Sequence, residues 1–152
     1  MKEVFVRLGV EDLTALLELE IQCFTCPWTR EQFLLGLQQK AFHLFGLKKD
    51  GVLVAYISFY TVEEDMEILN IGVHPRWRRR GFADRLLKLV LQICAGMGIK
   101  QSFLEVRESN AAAQKLYRNH GYTPCGRRRG YYPDNGEDAI VMQKDIHTEP
   151  TN

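Results

Sequence analysis

The sequence predicts a single α/β domain built on a mixed sheet, and three observations lead there. Apolar residues switch along the whole chain between strand-like runs and helical spacing. An Asp50-Gly51 pair sits between two apolar runs, the short-range signature of an antiparallel hairpin. Residues 66 to 106 read as strand, helix, strand, a unit that pairs its two strands in parallel.

In chain order, Phe5, Val6 and Leu8 begin a short strand, and Leu13, Leu16, Leu17, Leu19, Ile21 and Phe24 recur at mostly helical spacing. Cys26-Pro27-Trp28 breaks that periodicity. Thr29 with Gln32 three residues later forms a capping box, so a second helix runs from there to about Gln39. Phe42 to Leu47 and Val52 to Tyr60 are the hairpin strands, and Met66 to Val73 is the next strand. After His74-Pro75 and a basic stretch, Phe82, Leu86, Val90, Ile93 and Met97 mark an amphipathic helix that ends near Gly96 and Gly98. Ser102 to Val106 is a strand, and Asn110 to His120 a helix closed by Gly121. Two late strands, near Tyr122 to Arg127 and Asp138 to Gln143, flank a Tyr-Tyr-Pro-Asp-Asn-Gly loop, and residues 147–152 read as a loose, flexible tail.

The 152 residues, 45% hydrophobic and 26% charged, fit one globular domain with a core of its own. With 20 Lys and Arg against 19 Asp and Glu, the net charge of +1 excludes a generally polybasic nucleic-acid binder. Local clusters at Arg76 to Arg80 and Arg127 to Arg129 leave an RNA-contacting alternative, which the acids Asp134, Glu137 and Asp138 weaken. No apolar run approaches the roughly 20 residues of a membrane span, and the charged start Met1-Lys2-Glu3 lacks a signal peptide's apolar stretch, so a cytoplasmic location is expected. Cys23, Cys26, Cys94 and Cys125 are too few and irregular for a disulfide framework. Cys23 and Cys26 form a CxxC pair without the partners a closed zinc site requires, so no metal is expected.

Arg78-Arg79-Arg80-Gly81-Phe82-Ala83 lies between a strand and an amphipathic helix, where small residues expose backbone N–H groups and a helix N-terminus to an anion such as a pyrophosphate. Taken with Ile68-Leu69-Asn70-Ile71-Gly72-Val73-His74-Pro75 and with Leu104-Glu105-Val106-Arg107 through Asn110, Ala113, Leu116-Tyr117 and Gly121-Tyr122, this loop resembles the GNAT N-acetyltransferases. Cys26-Pro27-Trp28-Thr29, Tyr131-Tyr132-Pro133 and Gly136-Glu137-Asp138-Ala139 extend the resemblance, over residues 3 to 146, to the bacterial ribosomal-protein alanine N-acetyltransferases of the RimI type. Gly72 stands where alanine is frequent, and Ala83 where glycine is common.

The resemblance implies a GNAT-like domain over residues 1–146. Its sheet would be mostly antiparallel, of about six or seven strands with a central splayed parallel pair, accompanied by about four helices. It implies acetyl-CoA as donor, with the pyrophosphate on Arg78, Arg79, Arg80, Gly81, Phe82 and Ala83 and the pantetheine arm along Ile71, Gly72 and Val73. Asn110 is implied in cofactor contact, and a helix N-cap is its other reading. The implied acceptor is a protein N-terminus, the alanine of the eighteenth small-subunit ribosomal protein. A lysine side chain, a small amine and a silent acetyl-CoA-binding module are the alternatives.

Acetyl transfer requires a neutral amine and a proton for the departing thiolate. By resemblance, Glu105 is the base and Tyr117 the acid in a direct transfer within a ternary complex; none of the four cysteines falls in the catalytic motif. Read alone, Glu105 is a strand-end charge paired with Arg107 or a neighbour, and Tyr117 is a core residue. Trp28, Tyr131 and Tyr132 are implied to flank the acceptor, with a staple-like packing role equally open to Trp28. Glu67 either binds the peptide or is a solvated strand carboxylate.

Overall fold

The structure is a computed structural model that describes residues 2–146. Its strands are β1 (Glu3–Arg7), β2 (Phe42–Lys49), β3 (Val52–Val62), β4 (Asp65–Val73), β5 (Gln101–Arg107), β6 (Thr123–Arg128) and β7 (Ala139–Asp145). Its helices are α1 (Leu13–Cys23), α2 (Arg30–Leu37), α3 (Phe82–Gly96) and α4 (Ala111–Asn119), with single 3-10 turns at Val10–Asp12 and Pro75–Trp77. The strands form one seven-stranded mixed sheet in the order β1-β2-β3-β4-β5-β7-β6. The tail expected at residues 147–152 lies outside the described residues. No helix among the described residues is long and apolar enough to cross a membrane.

The described residues fall into two compact units: one comprises residues 2–60 and Leu69–Val90, the other Thr61–Ile68 and residues 91–146. In the first, β2 pairs antiparallel with both β1 and β3. The hairpin turns at Asp50 (φ 50°) and Gly51 (φ 82°), two left-handed residues in succession, which is why Asp-Gly suits it. Leu13, Leu16 and Leu19 from α1 bury against Phe33, Phe42, Leu44 and Tyr56. Helix α2 begins as its capping box dictates, with Gln32 N–H donating to Thr29 Oγ1 at 3.2 Å and Thr29 N–H donating to Gln32 Oε1 at 2.8 Å.

In the second unit β4 and β5 pair in parallel over four residues, from Asp65↔Gln101 to Ile68↔Leu104. Ile68↔Leu104 is the last pair of that ladder, although β4 continues to Val73 and β5 to Arg107. Strand β7 pairs antiparallel with both β5 and β6, with an irregularity between Pro124 and Gly126. On β5, Ser102, Leu104 and Val106 are buried while Phe103, Glu105 and Arg107 are half-exposed, the alternation a strand imposes. Tyr122, expected inside a strand, precedes β6 and is buried instead, its hydroxyl 2.6 Å from Ser102 Oγ.

Candidate active site

The first unit contains the Arg78–Ala83 loop, where the pyrophosphate is expected. Arg79 (φ 63°) and Gly81 (φ 79°) are both left-handed, and a Cβ on Gly81 would meet nothing within 4 Å, so the loop surface is open there. Helix α3 begins immediately after, and the N–H groups of its first turn have no intrahelical partner. Open backbone beside a helix N-terminus is the arrangement that receives a phosphate group. The arginines differ in setting: Arg78 Nε donates to the Val73 carbonyl at 3.1 Å, and Arg80 lies 4.8 Å over the Trp77 ring, which Lys49 also covers at 4.5 Å. Phe82 is buried with its ring edge-on to Trp77, so only its backbone can face an anion.

Upstream, Ile71, Gly72 and Val73 end β4. A Cβ at position 72 would stand 2.9 Å from the Tyr56 ring and 3.3 Å from Cys23 Sγ, which explains glycine at this position. The Cys23 thiol donates to the Val73 carbonyl at 3.3 Å, and burial raises its pKa. All four cysteines are free thiols, and among the described residues no group of three or more His, Cys, Asp or Glu side chains is placed to hold a metal. Beneath this strand Glu20, only 1% exposed, accepts from the Tyr56 hydroxyl and from the Trp28 N–H, and burial raises its pKa. The Trp28 ring packs tilted against Phe33 at 5.1 Å and stacks on Phe42 at 5.8 Å. Trp28 precedes the cap Thr29 and Phe33 is the fourth helical residue, so this contact is a hydrophobic staple.

The second unit gathers the acid–base candidates. Glu105 projects from β5 with its side chain 16% exposed, and Arg128 Nε lies 2.6 Å from its Oε1. The Tyr131 phenol donates to the same carboxylate, the chief reason its own pKa is raised. Glu67, which lies on β4 in register with Phe103, has its pKa raised by burial and then by the charge of Glu105, while Arg128 opposes the shift. Glu105, Glu67 and Tyr131 therefore share one polar cluster. Arg107 does not join it: its guanidinium bonds Asp134 at 2.9 Å and Glu137 at 3.4 Å and lies 3.9 Å from the Tyr132 ring centroid. The strand-end pair available to Glu105 is thus Arg128.

Tyr117 is 7% exposed, edge-on to Tyr122 at 5.7 Å, and burial pushes its phenol well above its ordinary value. It stays protonated through the neutral range. Asn110 Oδ1 accepts from Ala113 N–H at 3.0 Å, so its N-cap role is realised. Sequence reading set Tyr131 and Tyr132 beside the acceptor but passed over Arg128 and the ion pairs of Arg107 with Asp134 and Glu137. The signal for the Arg107 pairs was the density of acids between residues 134 and 138.

The model of the Acetyltransferase (GNAT) family matches residues 13–122. The chain belongs to the GNAT acetyltransferase family. Among its GNAT relatives, the ribosomal protein bS18-alanine N-acetyltransferase of Escherichia coli (strain K12) is 34% identical over 137 residues, 89% of this chain and 92% of that one. The N-alpha-acetyltransferase RimI of Mycobacterium tuberculosis (strain ATCC 25618 / H37Rv) is 37% identical over 134 residues, 84% of this chain and 83% of that one. The crystal structure of the ribosomal-protein-S18-alanine N-acetyltransferase from Escherichia coli superposes with a TM-score of 0.91 at 31% identity, covering 99% of this chain and 98% of that one. This GNAT chain is therefore an acetyltransferase, and its seven-stranded mixed sheet with the parallel β4–β5 pair is the GNAT fold.

Proposed function

We propose that the chain transfers acetyl from acetyl-CoA directly to the N-terminal α-amine of a protein, the alanine of ribosomal protein bS18 being the acceptor. The observation that carries this reading is coverage: similarity to the bS18-alanine enzymes extends past the family match at 13–122 and takes in nearly the whole chain. A ribosomal-protein acceptor puts the reaction in the cytoplasm.

Acetyl-CoA supplies the activated acyl group as a thioester. The open loop at Arg78 to Ala83 and the first turn of α3 hold its pyrophosphate through backbone N–H groups, and Ile71 to Val73 line its arm. Asn110, besides capping α4, contacts the cofactor. An α-amine of pKa about 7.7–8.0 arrives mostly as an ammonium at pH 7, and Glu67 and Glu105 are the acids that receive it. Glu105 takes one ammonium proton directly or through water, and the free amine then attacks the thioester carbon. The C–S bond breaks as the N–C bond forms. Tyr117, buried and protonated, gives its proton to the departing sulfur, and the second proton shed by the nitrogen restores Tyr117. Trp28 and Tyr131 flank the acceptor chain. Incubation of alanine-, serine- and methionine-starting peptides with acetyl-CoA, read by intact and fragment mass spectrometry, should place the acetyl group on the alanine α-nitrogen. Acetylation confined to internal lysines or free polyamines would overturn the reading.

A further inference from the structure

Arg128 has no part in the reaction so far, yet its Nε is 2.6 Å from Glu105 Oε1. Its route there is set by its neighbours. Strand β7 lies between β6 and β5, in the register Arg128↔Ala139↔Arg107 and Gly126↔Val141↔Glu105. Gly126 has no side chain and Ala139 only a methyl, so a long side chain on β6 can cross β7 to reach Glu105.

The two partners differ in exposure. Arg128 is 60% exposed and Glu105 16%, and an exposed ion pair of this kind is weak and easily exchanged. The other groups facing the pair are the Glu67 carboxyl, the Tyr131 phenol, whose ring lies 5.7 Å from the guanidinium, and the Tyr132 phenol. The cluster thus offers two carboxylates and one exposed cation. An α-ammonium is a cation of the same charge and supplies the same kind of N–H donor.

We propose that Arg128 is a positioning residue that holds Glu105 before the acceptor binds and is displaced, charge for charge, by the acceptor's α-ammonium. The inference rests on the reading of Glu105 as the residue that meets the amine. It makes Arg128 a competitor of the acceptor's charged terminus alone, because an uncharged chain end brings no cation to replace the guanidinium.

The test is Arg128→Gln, titrated calorimetrically with an alanine-starting peptide and with its Nα-acetylated twin. Removing the competitor should tighten binding of the free-amine peptide about threefold, the size expected of an exposed ion pair. The acetylated twin should bind the variant as it binds the parent, and Arg128→Lys should restore the parent's affinity for the free amine. In turnover, KM for the free-amine peptide should fall by a similar factor. Unchanged or weaker binding of the free-amine peptide by Arg128→Gln, or equal tightening of both peptides, would overturn the proposal. Full turnover by Glu105→Gln would instead defeat the base reading beneath it, so the two failures are distinguishable.

Discussion

The Arg78–Ala83 loop and the Glu105 cluster are built from different materials, and on the proposed function they would meet opposite charges. The loop presents main chain: left-handed Arg79 and Gly81, then the first turn of α3, while Arg78 bonds a carbonyl and Arg80 covers a tryptophan. The cluster presents side chains alone, drawn from β4, β5, β6 and the loop after β6. A backbone site is fixed by the conformation of a few consecutive residues. A side-chain site is fixed only when the strand order is.

The comparison is sharpened most by a paired substitution. Glu105→Gln should lower kcat about 100-fold at neutral pH, recovering in part as the pH rises and the amine deprotonates unaided. It should leave stabilisation by acetyl-CoA intact. Gly81→Asp should do the reverse of the second result. Aspartate is strained at φ 79° and sets a like charge against the pyrophosphate, so the stabilisation by acetyl-CoA, about 2.7 kcal/mol at a hundredfold excess over Kd, should largely vanish together with the thermal shift that reports it. Equal shifts for Gly81→Asp and parent would break the assignment of the loop.

A smaller effect separates packing from chemistry at Tyr117. Tyr117→Phe keeps the ring that meets Tyr122 edge-on and deletes only the phenolic proton, so kcat should fall about tenfold with little change in Tm or acetyl-CoA affinity. Parent-level kcat across pH 6 to 9, a range that brackets the amine pKa, would return Tyr117 to the core.

The smallest effect is on acid stability. Glu137 accepts from Ser109, Asn135 and Arg107, and the Ser109 bonds above all lower its pKa from 4.5 to about 2. A carboxyl depressed in the folded state contributes stability that is full above pH 4.5 and is lost as the pH falls toward about 2. Glu137→Gln should therefore melt lower than the parent at neutral pH, and the two Tm curves should converge as the pH falls through that window. Parallel curves would show that the bonds to Glu137 do not hold the 131–137 loop.

The same contrast explains what was legible in the sequence. The Asp50-Gly51 hairpin, the Thr29–Gln32 capping box with its Trp28–Phe33 staple and the Gly81 loop each depend on residues within a few positions of one another, and each was readable. The parallel β4–β5 pair followed from the strand-helix-strand pattern of residues 66 to 106. Arg128 beside Glu105 was not readable, because it requires β7, the last strand in the chain, to lie between β5 and β6. Sequence proximity pointed to Arg107 as the partner of Glu105, and the acids of the late loop hold Arg107 elsewhere. Tyr117 was legible only in part: helical spacing shows that a tyrosine faces inward, not that burial there raises its pKa.

Gly72 carries a consequence for how this strand varies among relatives. Its missing methyl is the space that the Tyr56 ring fills from below, 2.9 Å from where a Cβ would stand. Positions 56 and 72 therefore draw on one shared volume, sixteen residues apart in sequence. A relative with alanine at the position of Gly72 has to carry a smaller or displaced side chain opposite it. The pair should covary in size, so a change at either position is tolerated best when the other changes with it.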